Sequence, residues 1–240
     1  MNVSKKWLGR SAIITAVFLL WCGFGACKSK GPLEPSPIAL PDTVDTLSPL
    51  PNKPAAFVEI VRLDSTIVLD IKYATTDNFT NDVLYPEARC FSRLCMAESL
   101  ISVNRKAKEM GYRIKVFDCY RPHRVQFKMW ELVPDSRYVA NPHQGSRHNR
   151  GTAVDLTLID SAGNELDMGS EFDEFSKRSH RGYGGLTKEQ RKNRKLLTSL
   201  MTSTGFTSIT SEWWHFDYYD WKKFPLINVS FDSLRFISTE

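Results

Sequence analysis

The chain has 240 residues, 42% of them hydrophobic and 25% charged, which suffices for one well-packed domain and is short for two. Its net charge of +5 comes from one end, because Lys5, Lys6, Arg10, Lys28 and Lys30 precede any Asp or Glu. Taking those five from the 32 Lys and Arg leaves 27, equal to the 27 Asp and Glu, so the charge does not describe a nucleic-acid surface.

The N-terminus reads as an export signal. Lys5, Lys6 and Arg10 precede an apolar run, Ala12 to Trp21, too short for a comfortable permanent span. Phe24-Gly25-Ala26-Cys27 follows. Small residues before a cysteine resemble a bacterial lipoprotein cleavage site, with Phe24 standing where an aliphatic residue is usual. The expectation is a signal over 1–27 with Cys27 lipidated, in the periplasm or cell envelope; a plain signal peptide or an uncleaved anchor is the alternative. Residues 28–56 carry Pro32, Pro35, Pro37, Pro41, Pro49, Pro51 and Pro54, seven of the chain's 12 prolines. That density removes backbone donors and fixes φ, which predicts an extended tether. A catalytic domain is expected over 57–240.

Within that domain, Ile67, Leu69, Ile71 and Tyr73 alternate with more polar residues as in a strand. Ala97, Leu100, Ile101, Ala107 and Met110 recur at helical spacing, with Gly111 as a stop. Arg113 to Asp118 is a short β-prone run, and Pro122 can open a helix reaching about Val133. Ala153 to Ile159 predicts a strong strand. Thr187 with Gln190 forms a capping box for a helix ending at Gly205. Phe206 to Trp221 is rich in aromatic and β-branched residues and reads as strand with turns. Helices and strands mix without regular βαβ alternation, so the expected class is α+β. Cys90, Cys95 and Cys119 permit one disulfide or stay as buried free thiols; the sequence does not choose.

Three clusters carry chemistry. In Ser146-Arg147-His148-Asn149-Arg150-Gly151-Thr152-Ala153-Val154-Asp155, the strand holds Asp155 beside small residues, and a glycine-containing loop lets His148 fold back toward it. A rigid carboxylate with an imidazole suits zinc, and His215 would be the third ligand, leaving one position open. Glu212, in Glu212-Trp213-Trp214-His215, is placed to act as general base. Residues three apart on a strand face opposite ways, so a bend or bulge is expected there. In Asp118-Cys119-Tyr120-Arg121-Pro122, Arg121 can meet a developing oxyanion. His123, His143 and His180 read as ordinary polar residues.

These motifs, together with Lys72-Tyr73-Ala74-Thr75-Thr76-Asp77-Asn78-Phe79, Asp167-Met168-Gly169, Phe172-Asp173 and Ser179-His180, resemble the D-alanyl-D-alanine dipeptidase family, zinc enzymes linked to vancomycin resistance. The resemblance runs from about residue 57 to 221. It implies a small zinc D,D-peptidase or hedgehog-like fold with a central antiparallel sheet flanked by helices. It implies one zinc per chain on His148, Asp155 and His215, Glu212 as base and Arg121 as transition-state stabiliser. Tyr73, Ser146 and Asp173 would receive the ammonium of a free dipeptide. The export segment departs from the many cytoplasmic relatives. No protein partner is implied, and the membrane would be met only through the N-terminal signal or lipid.

Two rivals stand beside that expectation. A D,D- or L,D-carboxypeptidase trimming peptidoglycan stems needs a groove open on the amino side, whereas Asp173, Ser146 and Tyr73 would close one. A zinc-bearing binding module without turnover requires neither Glu212 nor Arg121.

Overall fold

A computed structural model describes residues 56–237. The expected signal at 1–27, Cys27 and all of the tether except Ala56 lie outside the described residues, as do 238–240. Among the described residues there are seven strands: β1 (Phe57–Glu59), β2 (Val68–Leu69), β3 (Phe91–Arg93), β4 (Arg113–Asp118), β5 (Ala153–Ile159), β6 (Phe206–Ser208) and β7 (His215–Tyr218). Five helices accompany them: α1 (Ile60–Leu63), α2 (Leu94–Glu109), α3 (His123–Leu132), α4 (Lys188–Thr202) and α5 (Phe231–Ile237). The class is α+β as expected.

The main sheet runs β2-β4-β5-β7-β6, antiparallel except for the parallel β2–β4 pair at one edge; β1 and β3 form a separate antiparallel pair. Helix α2 buries Met96, Leu100, Val103 and Ala107, a three-to-four-residue repeat that faces β4. Helix α4 buries Leu197, Leu200 and Met201 and packs on β6 and α2. Each such side chain removed from water contributes about 1.5–3 kcal/mol.

Local signals explain where these elements begin and end. Thr187 accepts from the Gln190 amide while the Gln190 side chain accepts from the Thr187 amide, so the predicted capping box opens α4. Gly111 follows α2 at φ +82°, a left-handed stop that a side chain would disfavour. Pro122 precedes α3 rather than filling its first turn: its ψ of 136° is extended, and helical geometry starts at His123.

The strand expected over 67–73 is shorter, because only Val68 and Leu69 pair with β4. Lys72–Ala74 then tightens into a 3₁₀ turn that buries Tyr73. The long aromatic stretch from 206 divides into β6 and β7, with irregular chain between them. All seven β5 residues are buried. Hence the face carrying Asp155 is also covered, by the loops of the site described below.

Cys90 and Cys119 are disulfide-bonded and Cys95 is free. The bond closes a sequence separation of 29 residues, a constraint on the unfolded chain worth about 3.6 kcal/mol in the loop-entropy picture. Replacing both cysteines by alanine is therefore expected to lower unfolding free energy by about 2–4 kcal/mol in urea. A midpoint unchanged from the oxidised protein would refute that contribution.

Candidate active site

The 146–155 motif is built by local hydrogen bonds. Ser146 Oγ accepts from the His148 amide at 3.2 Å, and Asn149 Oδ1 accepts from the Ser146 amide at 2.7 Å. The turn closes on Gly151 at φ +70°, and a Cβ there would lie 2.5 Å from the Phe57 ring. Glycine is thus required by both backbone and space. The compact turn carries His148 back over Asp155 at the start of β5. Across the sheet, Asp155 stands opposite His215 on β7 and Asp118 on β4. The Asp118 register follows an irregularity after Val116, which turns the end of β4 toward the site.

His148 Nε2 lies 3.2 Å from His215 Nδ1 and 3.3 Å from Asp155 Oδ2, while His215 Nδ1 lies 2.9 Å from Asp155 Oδ1. Among the described residues these three form the cluster able to hold a metal, and all are buried. The outer nitrogens fix the tautomers. His148 Nδ1 is 2.7 Å from the Cys119 carbonyl, which can only accept, so that nitrogen carries the proton. His215 Nε2 is 2.9 Å from Asp217 Oδ1, an acceptor of the same kind. Two neutral imidazoles so held present lone pairs to one another and to a carboxylate. Lone pairs brought this close repel unless a cation or proton lies between them, and two nitrogens with one oxygen suit zinc. Burial disfavours the charges on Asp155 and His215; without a metal, the histidines keep the Asp155 carboxyl far below its usual range and Asp217 and Asp155 raise the His215 imidazole, so that a proton on His215 takes the place of the cation.

Arg121 is buried at the turn from β4 into α3. Its Nε and Nη2 donate to Asp118 Oδ2 at 3.1 and 2.7 Å, and its Nη1 donates to Gln126 Oε1 at 2.9 Å. Asp118 also accepts from Tyr85 at 2.7 Å. Three of five guanidinium protons are thereby committed and two remain free to meet an oxyanion. Arg121 also lies over the Tyr73 ring, 5.0 Å from its centroid.

Tyr73, Arg121, Ser146, His148, Asp155, Asp173, Glu212 and His215, every residue singled out from the sequence, line one cavity of about 270 Å³. Asp173 accepts from the Tyr73 hydroxyl at 2.8 Å and has φ +58°, a conformation a non-glycine residue adopts only when its surroundings impose it. Burial raises its carboxyl well above the ordinary value, outweighing the Tyr73 hydrogen bond and the Arg121 charge that would lower it. Glu212 lies in the irregular chain before β7, so strand alternation does not govern its direction relative to His215. Trp213 and Trp214, both buried, anchor that segment: Trp213 Nε1 donates to Ser170 Oγ at 2.9 Å, and Trp214 meets the Phe172 ring. His123 and His180 interact elsewhere with backbone, and none of His123, His143 and His180 joins the metal cluster.

Sequence reasoning gave no role to Asp217, Gln126 or Tyr85. Asp217 was findable, since it sits two residues beyond His215 and shares its strand face. Gln126 is five residues from Arg121, one turn into α3, and was within local reach, whereas Tyr85 meets Asp118 across 33 residues and leaves no local signal.

Burial pushes the Glu212 carboxyl up to about 7 from 4.5. Between those values the folded protein binds a proton that the unfolded chain has released. The stability carried by that proton is complete below about 4.5 and is lost as pH rises through about 7. In metal-free protein, Glu212→Gln should raise the Tm at pH 8 and leave it unchanged at pH 4. The gain is at most about 3 kcal/mol, and less because water reaches this half-buried carboxylate. Equal effects at the two pH values in thermal unfolding would contradict the assignment.

A family profile described as D-ala-D-ala dipeptidase matches residues 53–231. The D-alanyl-D-alanine dipeptidase of Escherichia coli (strain K12) is 38% identical over 174 residues, 72% of this chain and 90% of the relative. That of Enterococcus faecium is 34% identical over 171 residues, 61% of this chain and 83% of the relative. Among solved structures, VanYB in complex with D-Alanine-D-Alanine is a distant likeness, with TM-score 0.37 and 15% identity over 56% of this chain and 75% of that one. The match to the profile spans well over half of the chain, with the candidate ligands, base and arginine all inside it: the chain belongs to the D-alanyl-D-alanine dipeptidase family.

Proposed function

We propose that this chain is a zinc-dependent dipeptidase that hydrolyses D-alanyl-D-alanine. The observation carrying this reading is the small cavity in which an ammonium-seeking acid, a half-committed arginine and a raised carboxyl surround the His148, Asp155 and His215 cluster. Zinc held by those three side chains supplies Lewis acidity and brings the pKa of water down to about 7.

The protein's own groups supply the rest. The Glu212 carboxylate takes a proton from the attacking water and returns it to the departing amine; burial raises it to about 7 in the metal-free protein, and a bound cation would draw it back down toward the acid range while burial keeps it basic enough to accept the proton. The two uncommitted N–H groups of Arg121 stabilise charge growing on the carbonyl oxygen, with Asp118 and Gln126 keeping the guanidinium from turning. Asp173, with the Tyr73 and Ser146 hydroxyls, receives the substrate ammonium at the closed side of the cavity. Members of the family named above act on the same dipeptide by name, and the fit of a free dipeptide to about 270 Å³ is consistent with that substrate.

We further propose that the protein works outside the cytoplasm, tethered through Cys27. The Cys90–Cys119 disulfide supports this, because such bonds persist in oxidising compartments. Breaking free dipeptide there suits recovery of wall fragments. Mass spectrometry of the native protein should find Cys27 as a modified first residue; an intact Met1, or an unmodified Cys27 after cleavage elsewhere, would refute it.

Substrate length separates a dipeptidase from a carboxypeptidase. A blocked amine gives Asp173 no cation to ionise it, so the buried carboxyl keeps its proton and the charge-assisted contact is lost, worth about 1–3 kcal/mol before any clash. The wild type should therefore prefer D-Ala-D-Ala over its N-acetyl form by at least roughly 10–100-fold in kcat/KM. Asp173→Ala should erode the preference by harming the free dipeptide more. Release of D-Ala from a stem pentapeptide as fast as from the dipeptide would favour the carboxypeptidase instead.

A further inference from the structure

Glu212 has to be aimed by a segment that belongs to no helix or strand. Residues 209–214 lie between β6 and β7, and their backbone makes few contacts with the sheet. The hydrogen bonds that hold its first residues come from one side chain and its own amide. Arg181 Nε donates to the Ile209 carbonyl at 2.8 Å, the Arg181 amide donates to the Thr210 carbonyl at 3.0 Å, and Arg181 Nη2 donates to the His215 carbonyl at 2.9 Å. The guanidinium therefore grips the chain on both sides of Glu212.

Its other contacts hold the grip in place. Nη1 donates to Thr198 Oγ1 on α4 at 2.9 Å, and the guanidinium lies over the Phe216 ring, 4.4 Å from its centroid. Behind it, the buried Arg194 of α4 donates to the carbonyls of Arg178 and His180, fixing the segment from which Arg181 projects. Among the described residues no carboxylate lies within ion-pair distance of Arg181, so carbonyls take the place that a salt bridge would occupy. Burial lowers its pKa to about 10, with Arg194 adding to the fall and Glu212 opposing it, so the side chain stays charged at neutral pH.

We infer that Arg181 is a positioning residue for catalysis: by clamping the carbonyls of Ile209 and His215 it fixes the loop that aims Glu212 at the site. This rests on the reading of Glu212 as the base. The guanidinium is planar and reaches two carbonyls at once; an ammonium makes point contacts and cannot span them. A catalytic group displaced by about 1 Å can cost on the order of 10²-fold in rate.

The test uses the zinc-loaded enzyme with D-Ala-D-Ala. Arg181→Lys and Arg181→Gln are expected to lower kcat by roughly 10–100-fold, with KM within about threefold and one zinc per chain retained. A fall in Tm with kcat unchanged would make Arg181 merely structural and overturn the inference. So would parallel loss of zinc, KM and kcat, which would move its role to the metal or substrate site. Should both variants fail to fold, Thr198→Val frees one guanidinium bond while keeping the arginine, and a kcat loss of roughly 2–5-fold at constant KM is expected; no change overturns the inference. Glu212→Gln is measured alongside. If that variant keeps full turnover, the base assignment has failed, and Arg181 falls with it; if it is inactive while the Arg181 variants are not, only the clamp is refuted.

Discussion

Two imidazole nitrogens and the two oxygens of one carboxylate, facing one another across 3.2, 3.3 and 2.9 Å, are the constraint on which this molecule is organised. Left to themselves, buried imidazole and carboxylate groups would rotate toward donors or toward water. Here they cannot. The Cys119 carbonyl takes the outer proton of His148, Asp217 takes that of His215, and β5 holds Asp155 between its neighbours in the sheet. The cost of assembling such a cluster is borne by the surrounding fold, and a bound cation relieves it.

The same cavity concentrates negative groups beyond what the metal cluster needs. Burial raises the Asp173 carboxyl despite the Arg121 charge that would lower it, and Glu212 is raised to about 7 by burial. Both are arrangements that weaken the empty protein and become favourable when a positive or proton-releasing partner arrives. The left-handed conformation of Asp173 is part of the same pattern: from that backbone geometry its carboxylate accepts the Tyr73 hydrogen bond. Strain and raised carboxyls collected in one cavity of about 270 Å³ separate this region from the well-packed remainder.

How much of this could be read beforehand follows from the range of each interaction. The turn from Ser146 to Asp155 was legible because its logic is local: a hydroxyl, an amide side chain and a glycine close it within ten positions. The capping box of α4 was legible for the same reason. The strand predicted over 67–73 shrank to two residues because its alternation was met mostly by packing, with little pairing to β4. The β1–β3 pair was not foreseen, since it joins Phe57 to Arg93 across intervening chain. The sequence left the cysteines undecided, and the choice of Cys90 with Cys119 depends on β3 lying beside the end of β4. Arg181 is the sharpest case. As a residue in a Gly-rich loop it looks solvated, and its function emerges only when α4 and the β6–β7 connection meet around it.

The segment from Asp118 to Arg121 ties stability to chemistry more closely than any other. Asp118 orients the guanidinium of Arg121, Cys119 supplies the carbonyl for His148 and the sulfur for Cys90, and Tyr120 anchors its amide on the Phe91 carbonyl. The Arg121 amide in turn donates to the His148 carbonyl, and Asn149 donates back to the Arg121 carbonyl. Four consecutive residues thus connect the metal cluster, the oxyanion-directed arginine, the disulfide and the small sheet. A side chain in this segment cannot be exchanged for its own sake, because each neighbour shares its backbone placement. That shared placement explains why Asp118, Tyr120 and Arg121 read as one motif while only Arg121 of the three lines the cavity: the others hold the frame that fixes its guanidinium there.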